Sequence, residues 1–391
     1  MTETTPTPHR RRGAIGRALL ALVEAPVAVA VLVGLAAPWL PPRPYWWAQL
    51  VAIGLPYASW ALAAFGVVWL LGRRWRAVAF HAVLLLIVGV RAGGLGRLAE
   101  AGTAGPDDLV LTTFNVPQSG PSREALADSV VAFVGAAAPD VLLMQDAHVA
   151  TRVRGPSLEG VQVEAVRTRL PYRLVLPARL ANHPGWQSNS TDVPVFLREG
   201  AGVEVVEQEV LIIGVERDPD VSLALRSHLR WGGRELVVYN VHLRSFGSPK
   251  PWEDDAVRLT SPSTWAPYLR QYRGVYARRG DEADQIADAI AAETLPVVVA
   301  GDFNSTADNW SYHRLRTAGG VSRTDAKQAA GGLDWGRTYH AERPFVRIDF
   351  VLVDPALEVT SATTTPVAFS DHRPVRVGLR WRDGVEGAET E

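Results

Sequence analysis

Hydrophobic positions divide the chain into two parts with different periodicities. In the first hundred residues they form three nearly unbroken stretches: Ala18–Leu40, interrupted by Glu24 and two prolines; Tyr45–Leu71, with no charge; and Ala77–Val90, continuing past Arg91 to Leu98. About 20 apolar residues cross a bilayer as a helix. The first two stretches meet that length, and the third spans if Arg91 reaches the interface with its head group. The pattern therefore predicts a three-helix transmembrane module over 1–100. A signal peptide with Arg10, Arg11 and Arg12 as its basic region is the competing reading of the start.

Beyond residue 100 the apolar runs are short and alternate with polar turns. Strands are predicted at Leu109–Val116, Val141–Met144, Tyr172–Leu176, Val193–Arg198, Ser222–Arg230, Glu235–Leu243, Leu295–Ala300, Arg347–Val353 and Val375–Trp381. Gly232–Gly233 predicts a hairpin between the fifth and sixth of these. Helical spacing marks Arg123–Ala138 and Asp281–Glu293. Many strands with few helices predict an α/β sandwich domain over 107–382, followed by a disordered acidic tail over 383–391.

Charge sharpens this division. Residues 1–100 carry ten arginines and three glutamates, which leaves 30 basic and 38 acidic residues in 101–391, a net of −8. Nucleic-acid binders usually show the opposite sign. Arginines flank the first stretch (Arg10, Arg11, Arg12, Arg17) and lie between the second and third (Arg73, Arg74, Arg76), whereas the intervening loop has only Arg43. By the positive-inside rule, three spans place the second domain outside the cell membrane; if the third stretch does not span, that domain is cytoplasmic. Trp39, Trp46, Trp47, Trp69 and Trp75 fall near the predicted span ends. The absence of cysteine excludes disulfides, thiol nucleophiles and thiolate metal sites.

Candidate chemistry collects where strands end. Asn115, Gln145 with Asp146, Asn240 with His242, Asp302 with Asn304, Asp349, and Ser370-Asp371-His372 all adjoin predicted strands. Singly, such an aspartate is more often a turn or cap residue and such a histidine an ordinary polar one. Together they suit one chemistry. Asp146 and Asp371 are hard oxygen ligands of the kind that hold magnesium or manganese. Asp302 and Asn304 could orient and deprotonate a water. His372 beside Asp349 makes an oriented imidazole, and His242 could donate from the opposite side.

Gly301-Asp302-Phe303-Asn304, Arg347-Ile348-Asp349-Phe350 and Ser370-Asp371-His372, in this order, resemble the motifs of the endonuclease/exonuclease/phosphatase family, which has the DNase I-like fold. Thr113-Phe114-Asn115-Val116 and Tyr239-Asn240-Val241-His242-Leu243 extend the resemblance over 109–381. It implies a four-layer α/β sandwich and a metal-dependent phosphoric ester hydrolase. It also implies that Asn115, Asp146 and Asp371 surround Mg2+ or Mn2+, that Asp302 and Asn304 position the attacking water, and that His372, supported by Asp349, and His242 hold the scissile phosphate. Met144-Gln145-Asp146 departs from the family's Leu-Gln-Glu by one methylene.

With its membrane module the chain resembles the membrane-anchored branch that includes the VanJ-type teicoplanin-resistance proteins. That similarity implies action on a lipid-linked phosphate or pyrophosphate, such as undecaprenyl (pyro)phosphate, at the outer face of the membrane. No obligate protein partner is inferred. An extracytoplasmic nuclease and a non-catalytic receptor or scaffold are the other readings. Arg244–Arg279, rich in aromatic and basic residues, is either a substrate-selecting loop or an ordinary long loop. Asn189-Ser190-Thr191 and Asn304-Ser305-Thr306 match a glycosylation sequon that is common by chance.

Overall fold

A computed structural model describes residues 8–94, 102–116, 122–151, 158–176, 189–214, 222–247, 250–251, 254, 257–258, 261–332 and 334–383. The expected tail beyond Asp383 lies outside them, as does the end of the third apolar stretch at 95–98.

Among the described residues the N-terminal part forms four α-helices, α1 (Pro8–Ala36), α2 (Pro42–Ile53), α3 (Leu55–Leu71) and α4 (Trp75–Arg91). Here the structure departs from the expected three spans. Among the described residues one helix, Ala18–Trp39, is long and apolar enough to cross a membrane alone. The second stretch is broken between α2 and α3, which bend by 59° at Gly54. Pro56, in the first turn of α3, supplies no N–H to continue a helix across the bend.

The α2 half docks on the second domain through buried Gln49. Its amide donates to the Ala37 and Leu40 carbonyls at 3.0 and 2.9 Å. Its own carbonyl accepts from Asn309 Nδ2 at 2.8 Å and its Oε1 from the Trp310 N–H at 2.9 Å. The 17-residue α4 ends at Arg91, which does not reach for a lipid interface. It donates to the Leu35 carbonyl at 2.6 Å, lies over Trp39 and pairs with Asp308 at 3.3 Å. The end of α1, the start of α3 (Tyr57 Oη donates to the Phe345 carbonyl at 2.8 Å) and the end of α4 therefore meet the second domain. Arg73, Arg74 and Arg76 lie at the opposite end of α3 and α4.

The second domain begins with β1 (Leu109–Asn115), α5 (Arg123–Ala137), β2 (Val141–Gln145), β3 (Val149–Thr151), β4 (Leu158–Glu159) and α6 (Val161–Arg169). There follow β5 (Tyr172–Val175), β6 (Asn189–Thr191), β7 (Val195–Arg198), β8 (Val203–Ile213), β9 (Ser222–Trp231) and β10 (Arg234–His242). The chain closes with α7 (Pro262–Ala291), β11 (Val297–Asp302), α8 (Trp310–Arg316), β12 (Thr324–Asp325), α9 (Ala326–Ala329), β13 (Asp349–Val353), β14 (Leu357–Thr364) and β15 (Val375–Trp381).

Two mixed six-stranded sheets, ordered β14-β15-β1-β2-β7-β5 and β12-β13-β11-β10-β9-β8, pack face to face. The outer face of the first carries α5 and α6, that of the second α7 and α8. The hairpin at Gly232–Gly233 joins β9 to β10 as its glycines suggested, both with positive φ. The second half of the expected Arg244–Arg279 loop, from Pro262 on, is instead the start of α7, whose buried Tyr268, Tyr272 and Tyr276 pack inward. Trp252 lies outside the described residues.

The period-two alternation explains where the polar strand ends go. Leu109 and Leu111, Val141 and Leu143, Leu236 and Val238, Val298 and Ala300, and Val351 and Val353 all face the core between the sheets. Asn115, Gln145, Asn240, His242, Asp302 and Asp349 continue those same inward-facing rows. Toward the rim each row turns polar in its last one or two positions, so the polar groups converge at one rim of the sandwich.

Candidate active site

Two of these groups fasten the sheets together. Gln145 Nε2 crosses from β2 to Asn240 Oδ1 on β10 at 2.6 Å and also meets Thr113 Oγ1 at 2.9 Å. Asn240 Nδ2 in turn donates to the Met144 and Val193 carbonyls at 2.9 and 3.0 Å. All three side chains are fully buried, and their mutual bonds satisfy groups that water cannot reach. Gln145 and Asn240 thus set the spacing of the sheets just beneath the rim.

Above this bridge, buried Asp302 is the centre of the cluster. Its Oδ2 accepts from Asn115 Nδ2 at 3.0 Å and from Asn304 Nδ2 at 3.2 Å, and its Oδ1 from the Asn304 N–H at 2.8 Å. Asn304 adopts a left-handed backbone (φ +46°), which folds its amide back over the carboxylate, and also donates to the Leu243 carbonyl at 2.9 Å. The Nε2 atoms of His242 and His372 each lie 3.8 Å from Asp302 Oδ2. Gly301 permits this packing: a Cβ there would lie 1.9 Å from the Val241 carbonyl oxygen, and its φ is +141°.

His372 is held from behind. Its Nδ1 lies 3.1 and 3.0 Å from the two oxygens of buried Asp349, and its backbone N–H donates to Ser370 Oγ at 3.0 Å. Ser370 Oγ donates to the Asn115 carbonyl at 2.9 Å, tying the last loop to β1. Burial alone would lower the imidazole pKa, but the Asp349 and Asp302 charges outweigh it and raise His372 to about 9. Burial likewise opposes protonation of His242, while its hydrogen bond to Asp192 (Nδ1 to Oδ2, 3.3 Å) and the charges of Asp146, Asp192 and Asp302 raise it to about 10. Asp302 is shifted upward by burial and by repulsion from Asp349, against the pull of both histidines. Two cationic donors therefore flank a carboxylate whose basicity is raised.

Asp146 follows β2 in a left-handed conformation (φ +55°), partly exposed, with Oδ1 3.9 Å from His242 Nδ1. Burial, and then the neighbouring carboxylates against His242, raise its pKa. Asp192 was not singled out from the sequence, because it precedes a strand rather than ending one. Ligand atoms of Asp146, Asp192 and His242 lie within 4.8 Å of one another, and so do those of Asp302, Asp349 and His372. Asp192 Oδ1 is buried without a hydrogen-bond partner. An orphan oxygen beside a second carboxylate fits a hard divalent cation. Asp371 is exposed; its backbone carbonyl accepts from Ala341 N–H at 2.7 Å, and its carboxylate belongs to neither group.

A cleft of about 570 Å3 opens beside His242 and Asp192 and is bordered by Arg244, Arg270 and Arg278. Tyr339, also not foreseen, lies 5.0 Å from the His372 ring between centroids. Lys250 Nζ donates to the Tyr339 hydroxyl and lies over its ring.

A sequence profile of the endonuclease/exonuclease/phosphatase family matches residues 112–372. A second profile, a domain of unknown function (DUF8431), matches 17–91. No curated protein matches the chain. Among solved structures, an endonuclease/exonuclease/phosphatase from Bacteroides vulgatus is 20% identical, with a TM-score of 0.46, covering 70% of this chain and 99% of that one. The mannosyl-6-phosphatase Bt3783 of Bacteroides thetaiotaomicron is 15% identical, with a TM-score of 0.46, covering 70% and 100%. The catalytic domain of human Nocturnin is 15% identical, with a TM-score of 0.46, covering 73% and 99%.

Proposed function

The chain belongs to the endonuclease/exonuclease/phosphatase family and is a metal-dependent phosphoric ester hydrolase, and from that premise we propose that it hydrolyses a lipid-linked phosphate or pyrophosphate at the outer face of a membrane in which α1, α3 and α4 anchor it. The observation that carries this reading is the apolar sleeve on those helices. Leu22, Trp60, Leu71, Leu86 and Val90 are exposed, and their outward faces have no cover among the described residues. Exposed apolar area on this scale belongs in lipid. Each of α3 and α4 has 17 residues, about 26 Å at 1.5 Å per residue, which lies at the short end of a span. Three spans would set Arg73, Arg74 and Arg76 on the cytoplasmic side and the hydrolase opposite them. An undecaprenyl (pyro)phosphate has the required chemistry, as in the VanJ-type branch.

The roles we assign follow the geometry. Asp302, raised in basicity and fixed by Asn115 and Asn304, takes the proton of the attacking water, and Asn304 orients that water. His372, held charged by Asp349, and His242, held charged by Asp192 and Asp146, donate to the phosphate oxygens on which charge develops. Asn115 and Asp146, together with Asp192, would hold Mg2+ or Mn2+; Asp371, the third ligand that the family resemblance implies, stands apart from this group. When bound, the ion neutralises phosphate charge.

The test pairs undecaprenyl pyrophosphate with plasmid DNA, using the full chain in detergent with Mg2+ or Mn2+. Phosphate release from the lipid, lost by at least about 100-fold in Asp302→Ala and His372→Ala with the fold intact, is expected. DNA cleavage alone would replace this reading with a tethered nuclease, and undiminished activity in both variants would refute the site.

A further inference from the structure

A second cavity, of about 550 Å3, lies between the helices and the hydrolase domain. Its two halves differ in chemistry. On the helix side it is lined by apolar groups of α1, α3 and α4, including Leu35, Leu55, Ala63 and Val88. Trp60 and Val90, which also border it, are 70% and 65% exposed on the outer surface of the helices, so the cavity opens where lipid would lie. On the domain side it meets Arg316, Arg337 and Arg347 with a single carboxylate, Asp308, and Arg91 joins them from the end of α4. Arg91 is matched by Asp308, and Arg347 by Asp325 at 2.5 Å. Arg316 donates to the Arg323 carbonyl at 3.0 Å. Among the described residues neither Arg316 nor Arg337 has a carboxylate partner. Two uncompensated guanidinium groups at the end of an apolar slot fit an anionic amphiphile.

The cavity also adjoins the catalytic cluster. Phe345 forms part of its wall, and its ring lies 5.8 Å from that of Tyr339, which in turn lies 5.0 Å from the His372 imidazole.

We propose that this cavity seats the apolar chain of the phosphate-bearing lipid substrate, with Arg316 and Arg337 drawing its anionic head out of the bilayer toward the Phe345–Tyr339 wall and His372. The proposal rests on the lipid-phosphate reading above. It gives the bend at Gly54 a role, because the bend brings the start of α3 over the hydrolase domain and so forms one side of the slot.

Gly89 offers the test. It lines the cavity from α4, and a Cβ there would meet nothing within 4 Å. The Cβ of a Gly89→Phe variant therefore has room, and its ring is the bulk set against the slot; Ala63→Leu is a second, milder filling. The full chain in detergent would receive a prenyl phosphate bearing a diazirine on its chain and, separately, p-nitrophenyl phosphate. Cross-links should map to peptides of α3 and α4. Gly89→Phe should lower cross-linking and lipid kcat/KM at least tenfold, mainly through KM, while p-nitrophenyl phosphate hydrolysis stays within twofold. Arg316→Gln with Arg337→Gln should show the same selectivity. Cross-links elsewhere, or lipid turnover unchanged in both filled variants, would overturn the proposal. Cross-links in α3 and α4 without hydrolysis of the lipid would sustain the cavity as a lipid seat and overturn the proposed substrate.

Discussion

Replacing Asp349 by asparagine removes one charge and leaves an acceptor for His372 Nδ1, so it isolates the electrostatic part of the pair. In the native protein both Asp349 oxygens lie within 3.1 Å of Nδ1, and both residues are buried. The imidazole is raised from 6.5 to about 9 despite the burial that opposes its charge. That difference corresponds to order 3 kcal/mol in favour of the imidazolium. Because the folded-state pKa is the higher one, this stabilisation is fully present below pH 6.5 and is lost as pH rises through about 9. At pH 7.5 roughly 2 kcal/mol of it remains.

In Asp349→Asn only the Asp302 and Asp371 charges remain to oppose burial, and the midpoint should fall well below the native value of about 9. The assay is an NMR titration of the His372 ring in chelator-treated, metal-free protein, run beside thermal unfolding at pH 6 and pH 9.5. The variant should unfold earlier at pH 6 and close to wild type at pH 9.5. Hydrolysis at neutral pH should fall by roughly 10–100-fold, the value of a charge-assisted hydrogen bond to the phosphate. A His372 midpoint within half a unit of wild type would refute the argument that Asp349 sets its charge.

Other outcomes follow from the same geometry. Asp146→Glu restores the methylene by which this chain departs from its family and should lower the Mn2+ concentration for half-maximal activity; an unchanged metal titration would exclude Asp146 as a ligand. Gln145→Leu leaves the Asn240 Oδ1 and Thr113 groups unpaired between the sheets and should cost about 1–3 kcal/mol, read as a lower Tm; an unchanged Tm would mean that the bridge is dispensable. Arg91→Gln removes the partner of Asp308, whose carboxyl burial already raises to about 6 against the pull of Arg91 and Arg347. A carboxyl raised on folding contributes stability at low pH that is lost as pH rises through about 6, so the deficit of this variant should be larger at pH 8 than at pH 5. An equal deficit at both would place the role of Arg91 in its contact with Trp39 and the Leu35 carbonyl instead.

The sequence by itself determined the strands that carry the site and the rows on which its residues lie. Period-two alternation is local, so apolar runs ending in Asn115, Gln145, His242 and Asp302 were legible, as was the Gly232–Gly233 hairpin. The motif order further identified the family. The long strand β8 went unseen because it lies at a sheet edge, where its alternating Glu204, Glu207 and Glu209 face solvent and the apolar signal is diluted. The extension of α7 back to Pro262 was hidden by its aromatic and basic composition.

Tertiary structure decided what depends on distant parts meeting. Asp192 becomes a partner of His242 only because separate strands bring them to one rim, 50 residues apart along the chain. Gln49 sits in a run without charge and reads as membrane-spanning, yet Asn309 and Trp310 supply the hydrogen bonds that turn α2 onto the hydrolase domain. Arg91, which hydropathy alone assigns to a lipid interface, has a carboxylate 217 residues away to pair with. Hydropathy sums the cost of each residue in lipid, whereas a buried polar group takes its energy from the partner that folding brings to it.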